Sequence, residues 1–188
     1  MLDQRAQESA PFELMVAVVI MAFVIFVGFQ AMERLRDEQC FAKIDKTLEE
    51  FKTKLEIAVT QKSPQTIPFI LAECSSPGKQ DIRIQDWDSA IFCAGLCRSA
   101  EITCTSLEYF DKTPGKIKGI RKCLNIPPDT IFSPQATPGR CASIDNVDQR
   151  QAYVLQDFKQ GIPLGTYLLI NKTFATDTFP QMCAYQRI

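Results

Sequence analysis

The sequence contains no histidine, and that absence excludes more chemistry than any motif in it supplies. Imidazole is the commonest general base and the commonest neutral metal ligand. Zinc catalysis on imidazole ligands, haem on a proximal histidine and a histidine-based catalytic triad are all ruled out. A basic surplus is also missing: 21 Lys and Arg stand against 22 Asp and Glu, a net charge of −1, which leaves no electrostatic footprint for nucleic acid. There is no C-x-x-C pair. The tightest spacing is Cys93 to Cys97, with Cys104 next, so neither a thioredoxin-type site nor a zinc ribbon or iron–sulfur run is written here. No G-x-S-x-G and no phosphate-cradling glycine loop is present. Asp81, Asp86 and Asp88 lack an EF-hand loop around them and read as solvated turn carboxylates. Trp87, Tyr109, Tyr153, Tyr167 and Tyr185 fall at strand positions, where core and cross-strand packing explains aromatics better than a sugar-binding surface does. The expectation is a protein with no catalytic residue, no metal and no cofactor, and therefore not an enzyme.

What the sequence does have is one long apolar run. From Leu14 to Phe29 no polar side chain occurs; Glu13 precedes it, and Glu33, Arg34, Arg36, Asp37 and Glu38 end it. As helix, the run through Met32 rises about 28 Å, against a bilayer hydrocarbon core of roughly 30 Å. No second segment is apolar enough to surround a helix that is greasy on every face, so the run reads as a membrane span rather than a buried core helix. After it come Gly28-Phe29-Gln30-Ala31-Met32, with Phe29 where a signal-peptide cut needs a small residue, so the segment stays attached. The second feature is cysteine. There are eight, at positions 40, 74, 93, 97, 104, 123, 141 and 183, an even number without metal-like spacing. That pattern reads as a disulfide framework formed in an oxidising compartment, with the pairing left open. Asn171-Lys172-Thr173 is a glycosylation sequon and supports an exported surface.

The residues just before the run carry a resemblance. Arg5-Ala6-Gln7-Glu8-Ser9-Ala10-Pro11-Phe12-Glu13 is similar to the N-terminus of archaeal type IV pilins with class III signal peptides. In that family a basic and a small residue precede a cut, Gln begins the mature chain, Ser follows two residues later, and an acid stands before the apolar segment. The resemblance implies a leader of Met1 to Ala6, processed by a prepilin peptidase at Arg5, Ala6 and Gln7. Glu13 stands two residues later than the family's acid. Two readings of it stay open: pairing with the N-terminal amine of a neighbouring subunit, or a carboxylate favoured by the dipole near a helix N-terminus, with Pro11 in the first turn.

Between Glu33 and Thr60 there is neither Gly nor Pro, and Phe41, Ile44, Leu48, Phe51, Leu55 and Ala58 repeat every three or four residues. This predicts continued helix with one apolar stripe, ended at Ser63-Pro64. The stripe calls for a partner, either the chain's own C-terminal domain, as the pilin resemblance implies, or a second copy in a coiled coil. Cys40, beside the first member of the stripe, is placed to pin the head to the helix. Beyond Pro64, short β-like runs alternate with turn residues: Thr66–Ala72, Asp81–Trp87, Glu101–Phe110, Lys116–Leu124, Ala152–Phe158, Thr166–Asn171 and Met182–Arg187. Thr166 to Ile170 reads as buried on both faces. The stretch from Asn125 to Asp148 reads as irregular and stapled through Cys141.

The expected fold is α+β. A leader (1–6) precedes a long helix (7–62), half apolar and half amphipathic, packed on a cysteine-rich antiparallel β head (63–188). The resemblance implies a structural subunit of an extracellular type IV pilus-like filament. Its partners are copies of itself, and the membrane before assembly. Ala17, Ala22 and Gly28 with Glu13 are the candidate assembly residues, and the head is free to serve adhesion. The rival is a monomeric, single-pass, membrane-anchored cell-surface binding module. Arg34, Arg36, Lys43 and Lys46 follow the run while Arg5 alone precedes it, a bias that by itself would put the head in the cytoplasm. The cysteines argue for the outside and take precedence, because a cytoplasm keeps thiols reduced.

Overall fold

A chain without helix breakers from Glu33 to Thr60 has no reason to interrupt its helix there, and α1 runs from Ala6 to Gln61 without a break. It starts a turn earlier than Pro11, which therefore lies inside it. The computed structural model describes residues 6–61, 63–71, 80–112, 119–127, 129–132, 139–141 and 152–188. Met1 to Arg5, Cys74, and residues 133–138 and 142–148 of the stretch read as irregular lie outside the described residues. The protein is α+β: one long N-terminal helix followed by antiparallel sheets. It divides into two compact units, one ending at Ala42 and the other running from Lys43 to Ile188.

In the first unit every described side chain from Phe12 to Arg36 is exposed. This is the one helix among the described residues long and apolar enough to cross a membrane.

The second unit takes the rest of α1 as its central rod. Strands β1 (Gln65–Phe69), β5 (Tyr153–Gln156), β6 (Gly165–Asn171) and β7 (Met182–Arg187) form an antiparallel sheet in the order β1-β6-β7-β5. Strands β2 (Gln80–Asp88), β3 (Thr103–Asp111) and β4 (Gly119–Leu124) form a second antiparallel sheet in chain order. A short helix, α2 (Ala90–Cys97), connects β2 to β3. The outer edge of β2 is covered rather than left open: Ile84 N donates to Phe158 O at 2.9 Å and Ile162 N to Ile82 O at 2.6 Å. The link between β5 and β6 thereby ties the sheets together and removes an edge that would otherwise invite pairing.

The stripe on α1 is buried in this unit's own core. Ile44, Leu48, Leu55 and Ala58 are fully buried, and Phe51 is 1% exposed. The Phe51 ring lies 4.6 Å from Phe69, 5.9 Å from Phe158 and 6.5 Å from Tyr167, centroid to centroid. The stripe therefore finds its partner in the chain's own domain. Strand β6 is buried on both faces. Tyr167 and Leu169 join the helix side, whereas Leu168 and Ile170 cluster with Cys141, Cys183 and Tyr185 on the other. Each large apolar side chain removed from water in this way contributes about 1.5–3 kcal/mol.

Three disulfides join described cysteines: Cys93–Cys104, Cys97–Cys123 and Cys141–Cys183. Cys40 is buried and also disulfide-bonded. The Cys141–Cys183 bond fastens Cys141 to β7, and Tyr185 Oη donates to Cys141 O at 3.0 Å beside it. Closing loops of this kind typically contributes 2–4 kcal/mol per bond.

Candidate functional site

Two surfaces of this protein are built in ways that packing alone does not require: the apolar half of α1, and the outer face of the three-stranded sheet.

On the first, Glu13, Ala17, Ala22 and Gly28 are all exposed. A Cβ built on Gly28 meets nothing within 4 Å. At 3.6 residues per turn, Ala17 and Gly28 fall within about 20° of one another around the helix, and Ala22 faces another direction. Ala6 and Gln7, the residues flanking the expected cut, open α1. The membrane-length helix and the disulfides together point to a membrane-anchored protein with its head in an oxidising, extracellular space.

The second surface is assembled by register. In a pleated sheet, alternate side chains share a face. Arg83 on β2, Glu108 on β3 and Arg121 on β4 are direct partners across the three strands. The Glu108 side chain is 1% exposed and lies 3.1 Å from Arg121 Nε and 3.7 Å from Arg83 Nη2. Ser106 Oγ donates to Glu108 Oε1 at 3.3 Å and receives the Trp87 indole N–H at 2.9 Å. Arg121 is set among aromatic rings, its guanidinium carbon 5.4 Å from the Phe110 centroid, 5.7 Å from Phe92 and 5.8 Å from Trp87. Phe110 also carries Arg83 at 5.9 Å. Gly119 leaves room for this ring, since a Cβ there would meet Phe110 at 3.0 Å.

Helix α2 supplies Phe92, which stacks on Trp87 with centroids 4.1 Å apart. Eight residues are too few for a helix to stand alone in water. Ser89 caps its N-terminus, Arg98 ends it in the left-handed conformation, and two disulfides pin it to β3 and β4. Sequence reasoning missed α2. Its one readable signal is Ser89 ahead of an apolar stretch, weakened by Gly95 and by cysteines whose pairing no local pattern gives.

The opposite face of the same sheet fastens the helix. Lys122 Nζ lies 2.8 Å from Asp45 and 3.2 Å from Glu49, and the backbone N–H of Asn125 donates to Glu56 at 2.7 Å. Burial opposes charge on both partners, but the hydrogen bonds prevail, holding Lys122 above and Glu49 below their usual ranges.

Asn171 is not an idle sequon residue. Its Nδ2 donates to Val59 O at 2.9 Å, one of the last carbonyls of α1, and its Oδ1 accepts from Thr173 N at 2.9 Å. Asn171→Ala is expected to cost about 1–2 kcal/mol by leaving that carbonyl unpaired. Guanidinium unfolding of wild type and variant measures it, and an unchanged midpoint would remove Asn171 from the helix's support. Asp81, Asp86 and Asp88 lie on strand β2 rather than in turns; Asp86 is paired with Lys159 and Thr105, and Asp81 with Lys112. Among the described residues no cluster of His, Cys, Asp or Glu is placed to hold a metal ion.

No protein-family model, no curated protein and no solved structure matches this chain.

Proposed function

We propose that this protein is a structural subunit of an archaeal type IV pilus-like filament, with apolar helices bundled in its core and disulfide-stapled heads facing solvent. One observation carries the reading. A single helix divides its labour sharply: residues 44 to 58 bury a stripe in the head, while every described residue from Phe12 to Arg36 stays exposed. An apolar surface of that length is stable only in lipid or against other apolar helices. The similarity of residues 5 to 13 to archaeal pilin N-termini favours the second outcome after the first. Copies of the chain begin in the membrane, lose Met1 to Ala6 to a prepilin peptidase, and assemble by burying the run against identical runs.

The rival, a monomeric anchored binding module, keeps the helix in lipid and needs no cut. Intact mass of native protein is expected to show loss of Met1 to Ala6, with filaments visible in shed surface material by electron microscopy. Retention of the leader in mature protein, with no filaments, would replace the filament reading by the anchored module.

A further inference from the structure

Arg121 and Ser106 compensate the buried Glu108 carboxylate, and the second arginine of the row, Arg83, adds charge beyond that need. A buried carboxylate is favourable only when its geometry is complete and its lone pairs are met. Among the described residues Glu108 Oε2 accepts no hydrogen bond and Arg83 Nε makes none, and Arg83 Nη2 at 3.7 Å stands beyond hydrogen-bond reach. Two guanidinium groups share one carboxylate, which among the described residues leaves one positive charge in excess on this face of a chain whose net charge is −1. Asp81, on the same face of β2, does not cancel it, because it is paired with Lys112 at 2.9 Å. Both arginine side chains remain open to solvent, at 39% and 42% exposure. Their positions are nonetheless fixed, from below by Glu108 and from the sides by Phe110, Phe92 and Trp87. With Arg121 Nε turned to Glu108 and Arg83 Nε buried, the Nη groups are the donors left to meet a planar oxyanion, and guanidinium groups held against rings lose little entropy when one arrives.

We propose that this face of the three-stranded sheet binds an acidic saccharide. The sugar carboxylate spans Arg83 and Arg121, and the C–H face of its ring rests on the half-exposed aromatics. An isolated anion would need the cations only; the rings beside them supply an apolar surface that a pyranose has and a bare ion lacks. Gln85, next on the same face of β2, donates its amide nitrogen to Asp86 O at 3.0 Å. Among the described residues its Oε1 makes no hydrogen bond, so it is placed to accept one from a sugar hydroxyl. The surface is held rigid by two disulfides and the stacked Trp87–Phe92 pair. The inference rests on the head facing outward and does not depend on filament assembly.

The test is calorimetric titration of the full chain in detergent micelles with trigalacturonate, with neutral galactotriose and with sodium sulfate. Trigalacturonate is expected to bind at least about ten-fold more tightly than either comparator, and more weakly as salt rises. Arg83→Gln and Arg121→Gln are each expected to lower that affinity at least about ten-fold, with Arg83→Lys recovering part of the loss. Arg83 lies farther from Glu108 than Arg121 does, 3.7 Å against 3.1 Å, so Arg83→Gln is the milder change; near-ultraviolet circular dichroism confirms its native fold before titration, and it carries the test by itself if Arg121→Gln does not fold. Equal binding of galactotriose, sulfate binding as tight as trigalacturonate, unchanged affinity in Arg83→Gln, or no binding would each overturn the proposal. None of these measurements needs filaments, so failure here and failure to assemble are separate results.

Discussion

Phe51→Ala is expected to destabilise the head by about 3–5 kcal/mol, a large share of the 5–15 kcal/mol typical of a domain. The ring sits where α1, β1, β6 and the segment after β5 converge, in contact with Phe69, Tyr167 and Phe158, and is 1% exposed. Phe158 in turn packs edge-on against Tyr167 at 5.2 Å and near Phe132 at 6.5 Å, so the cavity would open at the centre of an aromatic cluster. Tyr167 cannot rotate to fill it. Its hydroxyl donates to Pro163 O, and burial pushes its ionisation well above the usual tyrosine range. Phe51→Leu keeps most of the volume and is expected to cost less than half as much. Guanidinium unfolding followed by near-ultraviolet circular dichroism, with disulfides intact, separates the variants. A loss below about 1 kcal/mol for Phe51→Ala would mean that the second half of α1 is not the core of this unit.

That stripe is legible in the sequence because it obeys a local rule: a helix with one buried face must repeat every three or four residues, and Phe41 to Ala58 do. Strand β6 was legible for a related reason, since Tyr167 to Ile170 offer no polar side to water. The rest depends on long-range pairing, which no local pattern encodes. Arg83, Glu108 and Arg121 are unremarkable charges in the sequence and become one feature only through the registers of β2, β3 and β4. Likewise Cys97 finds Cys123, 26 residues on, only because α2 folds back over β4. Asn171 reads as a sequon from its neighbours, whereas its hydrogen-bond partner, Val59, lies 112 residues earlier. Trp87 was read correctly as a strand residue, but its stacking partner comes from a helix that the sequence hardly announces.

The apolar half of α1 decides between a filament subunit and an anchored monomer, and its small residues provide the sharpest test. A plain anchor needs only average hydrophobicity, which leucine increases. Within the chain these positions are also free: Ala17, Ala22 and Gly28 are exposed, and a Cβ at Gly28 touches nothing. Any harm done by a larger side chain must therefore come from another molecule. Helices that bundle without water use small residues for close approach, and overpacking such a contact costs about 1–3 kcal/mol. In a filament that cost recurs at every subunit. Ala22→Leu and Gly28→Leu are expected to leave the protein in the membrane and to abolish or shorten filaments. Because Ala17 and Gly28 share one side of the helix and Ala22 another, loss at both sides is the signature of a helix with several neighbours rather than a simple dimer. Glu13→Ala is expected to reduce assembly if that carboxylate pairs with the amine at Gln7 of a neighbour, and to leave it unchanged if the helix dipole is its only partner. Filament yield by electron microscopy, beside membrane content by immunoblot, reads all the variants together. Normal filaments from Ala22→Leu, Gly28→Leu and Glu13→Ala would show that this surface is not where copies meet. Membrane content unchanged, with no filaments from any chain including wild type, would leave the helix as an anchor and the head as the part that acts.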